Sequence, residues 1–377
     1  MGNPGLVDYR PSLHIAPMLD VTYLQFRQFM RLLTKRTHLW TEMFVGSALI
    51  NAPEDAVHKW MKFDQNEHPI VAQLGTAHDR IKFAGGNCSE TLIEAGKIVK
   101  QFGYDEININ AGCPSPRVSG KAGCFGAYLM KEKELVRDIV HDMMRQLDMR
   151  VTVKTRLGVD ECDSYDFVKD FVSTVSQSGC DHFIIHARKA WLRGINPKKN
   201  RTVPPLQYEK VYRLQQDFPD IKFTINGGFK TMDDILGAIN SENADDHNVP
   251  HKLDGVMIGR LAYENPCILA NVDRLIYGED NPPTCATRRI LLENYAKYID
   301  ETEEENRDMN IAMVVKPILG VFHGEQGSKF YRQALSNTYE YGDFEYPSGD
   351  SKHSMFIHQA IDLMDRINPE ALDKPLF

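Results

Sequence analysis

No run of about 18 apolar residues occurs in the 377-residue chain, so the sequence contains no candidate transmembrane helix. Met1–Arg10 has neither an apolar signal core nor an Arg-rich amphipathic stretch, and no targeting leader is expected from it. Cysteine is scarce: there are seven, an odd number, with no C-x-x-C pair, which argues against a disulfide framework and against a zinc site. A reducing compartment is therefore expected, the cytoplasm being the simplest choice and an organelle staying open. No metal is expected, and a monomer is assumed. Positive charge is not in excess either: 44 Lys and Arg face 52 Asp and Glu, a net charge of −8. Bulk electrostatics thus do not attract a nucleic acid, and such a partner would need a local basic surface. No internal repeat or low-complexity tract is present.

What is present is a rhythm. Eight short apolar runs of β type recur: Leu13–Met18, Leu39–Met43, Ile70–Leu74, Glu106–Asn110, Arg150–Thr155, His182–His186, Lys222–Ile225 and Gly255–Ile258. Longer segments with helical apolar spacing, such as Ser89–Phe102 and Glu134–Leu147, lie between most of them. Strand alternating with helix implies parallel pairing. Eight such units predict an α/β fold, a (β/α)8 TIM barrel, over residues 1–285, with an open doubly wound sheet as the alternative. Past residue 285 the strands stop. Ala286–Glu304, Asn310–Phe322, Lys329–Tyr339 and His353–Ile367 read as helices, so 286–377 is expected to be a C-terminal all-helical domain, with Gly278–Thr284 as the linker.

The polar signatures sit at one relative position. They read Ala16-Pro17-Met18, Gln73-Leu74-Gly75, Asn110-Ala111-Gly112-Cys113-Pro114, Lys154-Thr155-Arg156, His186-Ala187-Arg188, Asn226-Gly227-Gly228 and Gly259-Arg260, each at the C-terminal end of its strand. A barrel brings all these ends to one face, where active sites are built. The glycine pairs after the last two strands, with Arg260, suit a phosphorylated cofactor, because glycine permits close backbone approach and arginine adds a charged fork. Each glycine pair by itself is equally explained by a tight turn. Lys154 at a barrel mouth calls for an anion or a structural carboxylate. Gln73 offers a donor and an acceptor, suited to the edge of a flavin or a pyrimidine. His186 is either a site residue or a structural one.

Cys113 stands apart from the other cysteines because it lies in a loop, between a glycine and a proline, just past a strand end. Its thiol is a plausible acid. Between Arg188 and Arg201 the chain also carries Lys189, Arg193, Lys198 and Lys199 with no acidic residue. Lys329 and Arg332, at i and i+3 of an expected helix, add a second basic face around Phe330 and Tyr331. Such groups beside a cofactor pocket suit a phosphate-backbone ligand.

Taken in order, these signatures resemble those of the tRNA-dihydrouridine synthases, from about Leu13 to Asp273 and more loosely through the helical tail. The stretches Lys189-Ala190-Trp191-Leu192, Asn200–Leu206 and Pro17-Met18-Leu19-Asp20 resemble the bacterial A-type subfamily. The resemblance implies FMN as cofactor, NADPH as reductant and D-loop uridine of tRNA, at position 20 and/or 20a, as substrate. It implies that Ala16, Pro17 and Met18 line the flavin, that Gln73 and Lys154 hold its polar edge, and that His186 lies near the ring or ribityl chain. Asn226, Gly227, Gly228, Gly259 and Arg260 would hold the phosphate. Asn110 would contact the uracil, Cys113 would protonate it, and Lys199, Thr202, Lys329 and Arg332 would touch tRNA. A free-pyrimidine flavoprotein of the dihydroorotate or dihydropyrimidine dehydrogenase type is the alternative, and it would not need the basic rim. Ser241–His251, Phe63–His68 and Phe83–Cys88 depart from the compact pattern, as an acidic insertion or as irregular segments.

Overall fold

The computed structural model describes residues 11–75, 88–114, 126–240, 253–279, 285–302, 304, 309–336 and 353–376. The insertion at 241–251 lies outside them, as do most of Phe83–Cys88 and of the linker. By contact density the chain forms two compact units.

The first unit gathers Met1–Leu19, His38–Phe63 and His68–Ile258. It holds β1 (Ser12–Ile15), β2 (Leu39–Val45), β3 (Ile70–Gly75), β4 (Glu106–Ala111), β5 (Val151–Arg156), β6 (His182–His186), β7 (Lys222–Asn226) and β8 (Gly255–Ile258). All pairings are parallel, in the order β1-β8-β7-β6-β5-β4-β3-β2. The ring closes at His38, just ahead of β2. Its N–H donates to Leu13 O at 2.9 Å, and its carbonyl accepts from Ile15 N–H at 3.0 Å. Sequential order plus closure makes this a (β/α)8 barrel and excludes the open doubly wound sheet, whose strand order reverses at a switch point.

The strands show why the barrel forms. In β4, EININA, the isoleucines 107 and 109 alternate with Glu106, Asn108 and Asn110. Successive side chains point to opposite faces, so apolar residues line one face and polar ones the other. Ile107, Ile109, Val151, Val153, Phe183, Ile185, Phe223 and Ile225 are all fully buried. The helices Cys88–Phe102, Lys133–Leu147 and Tyr165–Ser176 follow strands three, four and five. The opposite face carries Glu106, Asn108, Thr152, His182 and Thr224, also buried, so each needs a hydrogen-bond partner inside the barrel. The first strand ends at Ile15, short of the expected Met18. Ala16 still donates to Ile258 O at 2.7 Å, and Pro17 has no N–H with which to continue.

The second unit gathers Asp20–Thr37, Asp64–Glu67 and Gly259–Phe377. Residue 285 therefore falls inside it. Asp273 is the reason the early segment belongs there, accepting from Thr34 Oγ1 at 2.5 Å and from the N–H groups of Lys35 at 2.7 Å and Arg36 at 3.3 Å. The irregular stretch around Phe63–His68 becomes a turn whose buried Glu67 receives Arg27 Nε at 2.5 Å and Gln28 Nε2 at 3.0 Å. C-terminal helices run over Arg288–Glu301, Ser328–Ser336 and Met355–Ile367, with Tyr295, Phe322 and Tyr331 wholly buried. The helix expected over Asn310–Phe322 stops at Val315 and tightens into a 3-10 turn at Lys316–Ile318, since Pro317 cannot donate to the preceding turn. No helix among the described residues is long and apolar enough to cross a membrane.

Candidate active site at the barrel mouth

The loop leaving β4 is held from three sides. Asn110 Oδ1 accepts the N–H groups of Gly112 and Cys113, each at 3.0 Å. Arg156 Nε donates to Gly112 O at 2.8 Å, and Cys113 O accepts Ala127 N–H at 2.9 Å. Gly126 makes that last contact possible. Its φ is +51°, and a Cβ there would lie 2.2 Å from Cys113 O. The result is a half-exposed thiol on a fixed backbone, distinct from Cys180, Cys267 and Cys285, which are buried. Burial pushes the Cys180 thiol up to about 12 and Cys267 up to about 11, so neither gives up a proton near neutral pH.

Across the mouth, Lys154 is half-buried and donates to Asn226 Oδ1 at 3.2 Å, while Asn226 Nδ2 donates to Met257 O at 2.8 Å. Burial and the neighbouring Arg156 guanidinium bring Lys154 down to about 7. Arg156 itself, 3% exposed, also donates to Lys189 O and Asn200 O, both at 3.1 Å, and burial brings it down to about 10. His186 is held neutral by burial and by Arg156, Lys154, Arg188 and Arg201. Among the described residues no carboxylate perturbs Lys154, Arg156 or His186. Among the described residues the groups that shift Lys154, Arg156 and His186 are cations and the Cys113 thiol, in a chain of net charge −8.

Gly227 and Gly228 have φ of +116° and +86°, a region that disfavours side chains. Added Cβ atoms would meet His186 Cδ2 at 2.7 Å and Leu206 Cδ1 at 2.5 Å, so the loop after β7 lies tightly under His186 and Leu206. Tyr208 hydroxyl donates to Gly227 O. Gly259 and Arg260 follow β8 directly and open the short helix Arg260–Glu264, with Arg260 exposed. They belong to the second unit.

Among the expected site residues, hydrogen bonds join Asn110 with Gln73 and Cys113, and Lys154 with Asn226. Ala16 is buried just past β1, and Pro17 and Met18 are half-buried. Lys199 and Thr202 are exposed, as are Lys329 and Arg332 on the second unit. The basic stretch divides. Arg188 is buried and donates to Pro204 O, while Lys189 pairs with Asp163 at 2.7 Å and lies 4.1 Å from the Trp191 ring centroid. These two shape the loop, which leaves Arg193, Lys198, Lys199 and Arg201 as the exposed cations. Buried Asn200 braces the same loop, accepting Trp191 N–H at 2.8 Å and donating to Trp191 O at 2.9 Å.

Sequence reasoning gave Arg156 no role and passed over Asn108, Thr152 and Glu106. The signal was the recurrence of polar residues every second position in β4 and β5. Among the described residues no group of three or more His, Cys, Asp or Glu could hold a metal ion.

The family model for dihydrouridine synthase (Dus) matches residues 14–348. The chain is similar to the tRNA-dihydrouridine(20/20a) synthase of Vibrio vulnificus, 42% identical over 325 residues, 86% of this chain and 90% of that one. The protein of the same name from Escherichia coli K12 is 42% identical over 334 residues, 88% of this chain and 87% of that one. Among solved structures, an old yellow enzyme homologue from Zymomonas mobilis is similar at 12% identity and a TM-score of 0.47, covering 72% of this chain and 89% of that one.

Proposed function

This chain belongs to the dihydrouridine synthase family, and from that premise we propose that it is an FMN-dependent tRNA-dihydrouridine synthase, reducing the C5=C6 bond of D-loop uridine at position 20 and/or 20a with NADPH. The observation that carries the reading is the mouth, which sets a half-exposed Cys113 thiol on a pinned loop beside Lys154 and Arg156, neither of which is perturbed by a carboxylate among the described residues.

The mouth fits an anionic flavin nucleotide. Lys154 and His186 sit among cations with no carboxylate perturbing them among the described residues, and the left-handed Gly227-Gly228 backbone admits close approach. Lys154 and Gln73 would hold the polar edge of the ring, with Ala16, Pro17, Met18 and His186 beside it. Asn226, Gly227, Gly228, Gly259 and Arg260 would hold the phosphate. When bound, FMN supplies the hydride that this chain's side chains cannot. Cys113 holds the proton delivered to uracil C5 and acts as general acid. Asn110 would lie beside the base, but its amide already donates to Gln73 Oε1 at 3.2 Å and Met43 Sδ at 3.1 Å while accepting two backbone N–H groups. A direct uracil contact by Asn110 would have to displace one of these bonds.

A uridine in a folded loop must leave its stack to reach a barrel mouth. The exposed cations Lys199 and Arg201, with Thr202, would receive phosphates of the tRNA, and so would Lys329 and Arg332. Phe330, 60% exposed between those two cations, favours a nucleic acid over a free pyrimidine, because aromatic faces beside cations bind bases and backbone together. On this reading the protein works in the cytoplasm, and the helical part from residue 286 serves tRNA docking.

The test is direct. Purified protein is given NADPH and an unmodified tRNA transcript, and dihydrouridine is mapped by nucleoside mass spectrometry. The expected result is a flavin-coloured protein and a mass gain at position 20 or 20a. Reduction of free uracil or orotate with no change in tRNA would replace this reading with the free-pyrimidine one.

A further inference from the structure

A chain of side-chain hydrogen bonds runs down the barrel interior from the Cys113 loop to a buried carboxylate at the opposite end. Asn110 Nδ2 donates to Gln73 Oε1 at 3.2 Å, and Gln73 Nε2 donates to Asn108 Oδ1 at 2.9 Å. Asn108 Nδ2 donates to Thr152 Oγ1 at 2.9 Å, and Thr152 donates to Glu106 Oε1 at 2.5 Å. Arg150 Nη1 donates to the other carboxylate oxygen at 3.3 Å, and its Nε donates to Asp181 Oδ1 at 3.0 Å. Every link is buried: Asn108 and Thr152 are 0% exposed, Gln73 2% and Glu106 3%.

The two ends dictate one direction. At the mouth, the N–H groups of Gly112 and Cys113 can only donate, so Asn110 must present its oxygen to them and its NH2 to Gln73. At the base, a carboxylate already receiving an arginine accepts, so the Thr152 hydroxyl must donate. An amide flipped anywhere between would set two donors or two acceptors face to face among buried side chains, leaving a polar group unsatisfied. A chain of aligned bonds also polarises each of its members.

We propose that Glu106 is a positioning residue. Through Thr152, Asn108, Gln73 and Asn110 it fixes the amide orientations at the mouth, and with them the backbone that carries Cys113. Glu106 touches no reacting atom. Its catalytic consequence rests on the reading of Cys113 as the acid, whereas its structural consequence does not.

Thr152→Val keeps the shape of the side chain and removes the one hydroxyl that links Glu106 to the amides, and Thr152→Ser keeps the hydroxyl. Three quantities are compared: hydrogen exchange of the Gly112 and Cys113 amides, the alkylation rate of Cys113 by iodoacetamide resolved by peptide mass, and kcat and KM for tRNA. In Thr152→Val the two amides are expected to exchange about tenfold faster, with Cys113 alkylated several times faster. Amides of β7 and β8 should keep their wild-type exchange. kcat should fall with KM unchanged, and Thr152→Ser should match the wild type throughout. Wild-type exchange at Gly112 and Cys113 in the Val variant, or equal damage in Val and Ser, would overturn the proposal. If the Val variant does not fold, Glu106→Gln serves. Its amide can turn either way, so the same two amides should loosen to a smaller degree, and no loosening overturns the idea. A wild-type protein inactive on tRNA would sink the reductase reading alone, because exchange and alkylation still decide the role of Glu106.

Discussion

The two ends of the barrel interior are both polar, yet they differ in kind. At the base, His14 Nε2 meets Ser12 Oγ at 2.9 Å, Trp40 Nε1 donates to His14 Nδ1 at 3.2 Å, and His182 Nε2 meets Thr224 Oγ1 at 2.8 Å. His14 stacks on His38 with centroids 4.3 Å apart, and burial first, then His38, His182 and Arg150, holds it neutral. Arg150 there is matched by Glu106 and Asp181. At the mouth, Lys154, Arg156 and His186 have no carboxylate among their perturbing neighbours. Buried polarity that is neutralised in place holds a fold together. Buried charge left without a counterion costs stability and persists where a ligand completes it. The same contrast divides the second unit. Arg288 reaches Val321 O, Ala371 O and Glu325, and Arg289 reaches Asp365 and Asp373, whereas Lys329 and Arg332 stand exposed beside Phe330.

The comparison breaks most sharply at Cys113. Cys113→Ala should retain flavin and tRNA binding and lose turnover by about 10²-fold or more, as expected when a general acid is removed. The measurement is dihydrouridine formed per minute under saturating tRNA, and a near-normal rate would remove Cys113 from the acid role.

The next effect belongs to Lys154, which titrates at about 7 in the free protein. A flavin edge that accepts a hydrogen bond from the ammonium raises that value, so binding takes up a proton. FMN affinity should be highest below pH 7 and fall by up to about tenfold per pH unit above it, until the pKa of the complex is reached. Titration of flavin fluorescence against protein across that range reads the slope. Lys154→Met should bind more weakly and show a flat profile. A sloping profile in the Met variant would locate the proton uptake elsewhere.

A smaller effect is expected from the paired exposed cations. Replacing Lys329 and Arg332 together by Ala should weaken tRNA binding and flatten the dependence of log affinity on log salt by up to about two units. Flavin content and NADPH-dependent flavin reduction should stay near the wild-type level. An unchanged salt slope would mean that this helix does not meet the phosphate backbone.

The smallest effect lies at the base. His14 is held below its ordinary value in the folded protein, so between that depressed value and about 6.5 the unfolded chain binds the additional proton. Stability is then complete above about pH 6.5 and declines below it, by up to about 1.4 kcal/mol per pH unit for each histidine so held. Denaturant midpoints measured from neutral to mildly acidic pH should show this decline, and His14→Gln should make it shallower. If the slope is unaltered in the Gln variant, the histidines at the base are not what acid attacks.

The barrel was legible because its signals are local. A strand of five or six residues with apolar alternation, followed by a helix, needs only its own neighbours to be recognised, and all eight expected strands are present, the first ending early at Ile15. Errors fell where a neighbour in space intervened. The segment near Phe63–His68 looks irregular until buried Glu67 is seen beneath Arg27, and the helix expected through Phe322 tightens at Pro317. The basic stretch reads as one rim, yet Arg188 and Lys189 are engaged by Pro204 and Asp163, and only the later cations face solvent.

By itself, then, the sequence determined the alternation of strand and helix, the polar strand ends, the family, and the loop setting of Cys113, since each is written in a few contiguous residues. Tertiary structure alone decided which charges are matched and which way the buried amides face. Lys154 and Asn226 are 72 residues apart, Gln73 and Asn108 are 35, and Thr152 and Glu106 are 46. A hydrogen bond has a direction only once both partners are in place, and the parallel pairing of β3 through β7 is what puts them there.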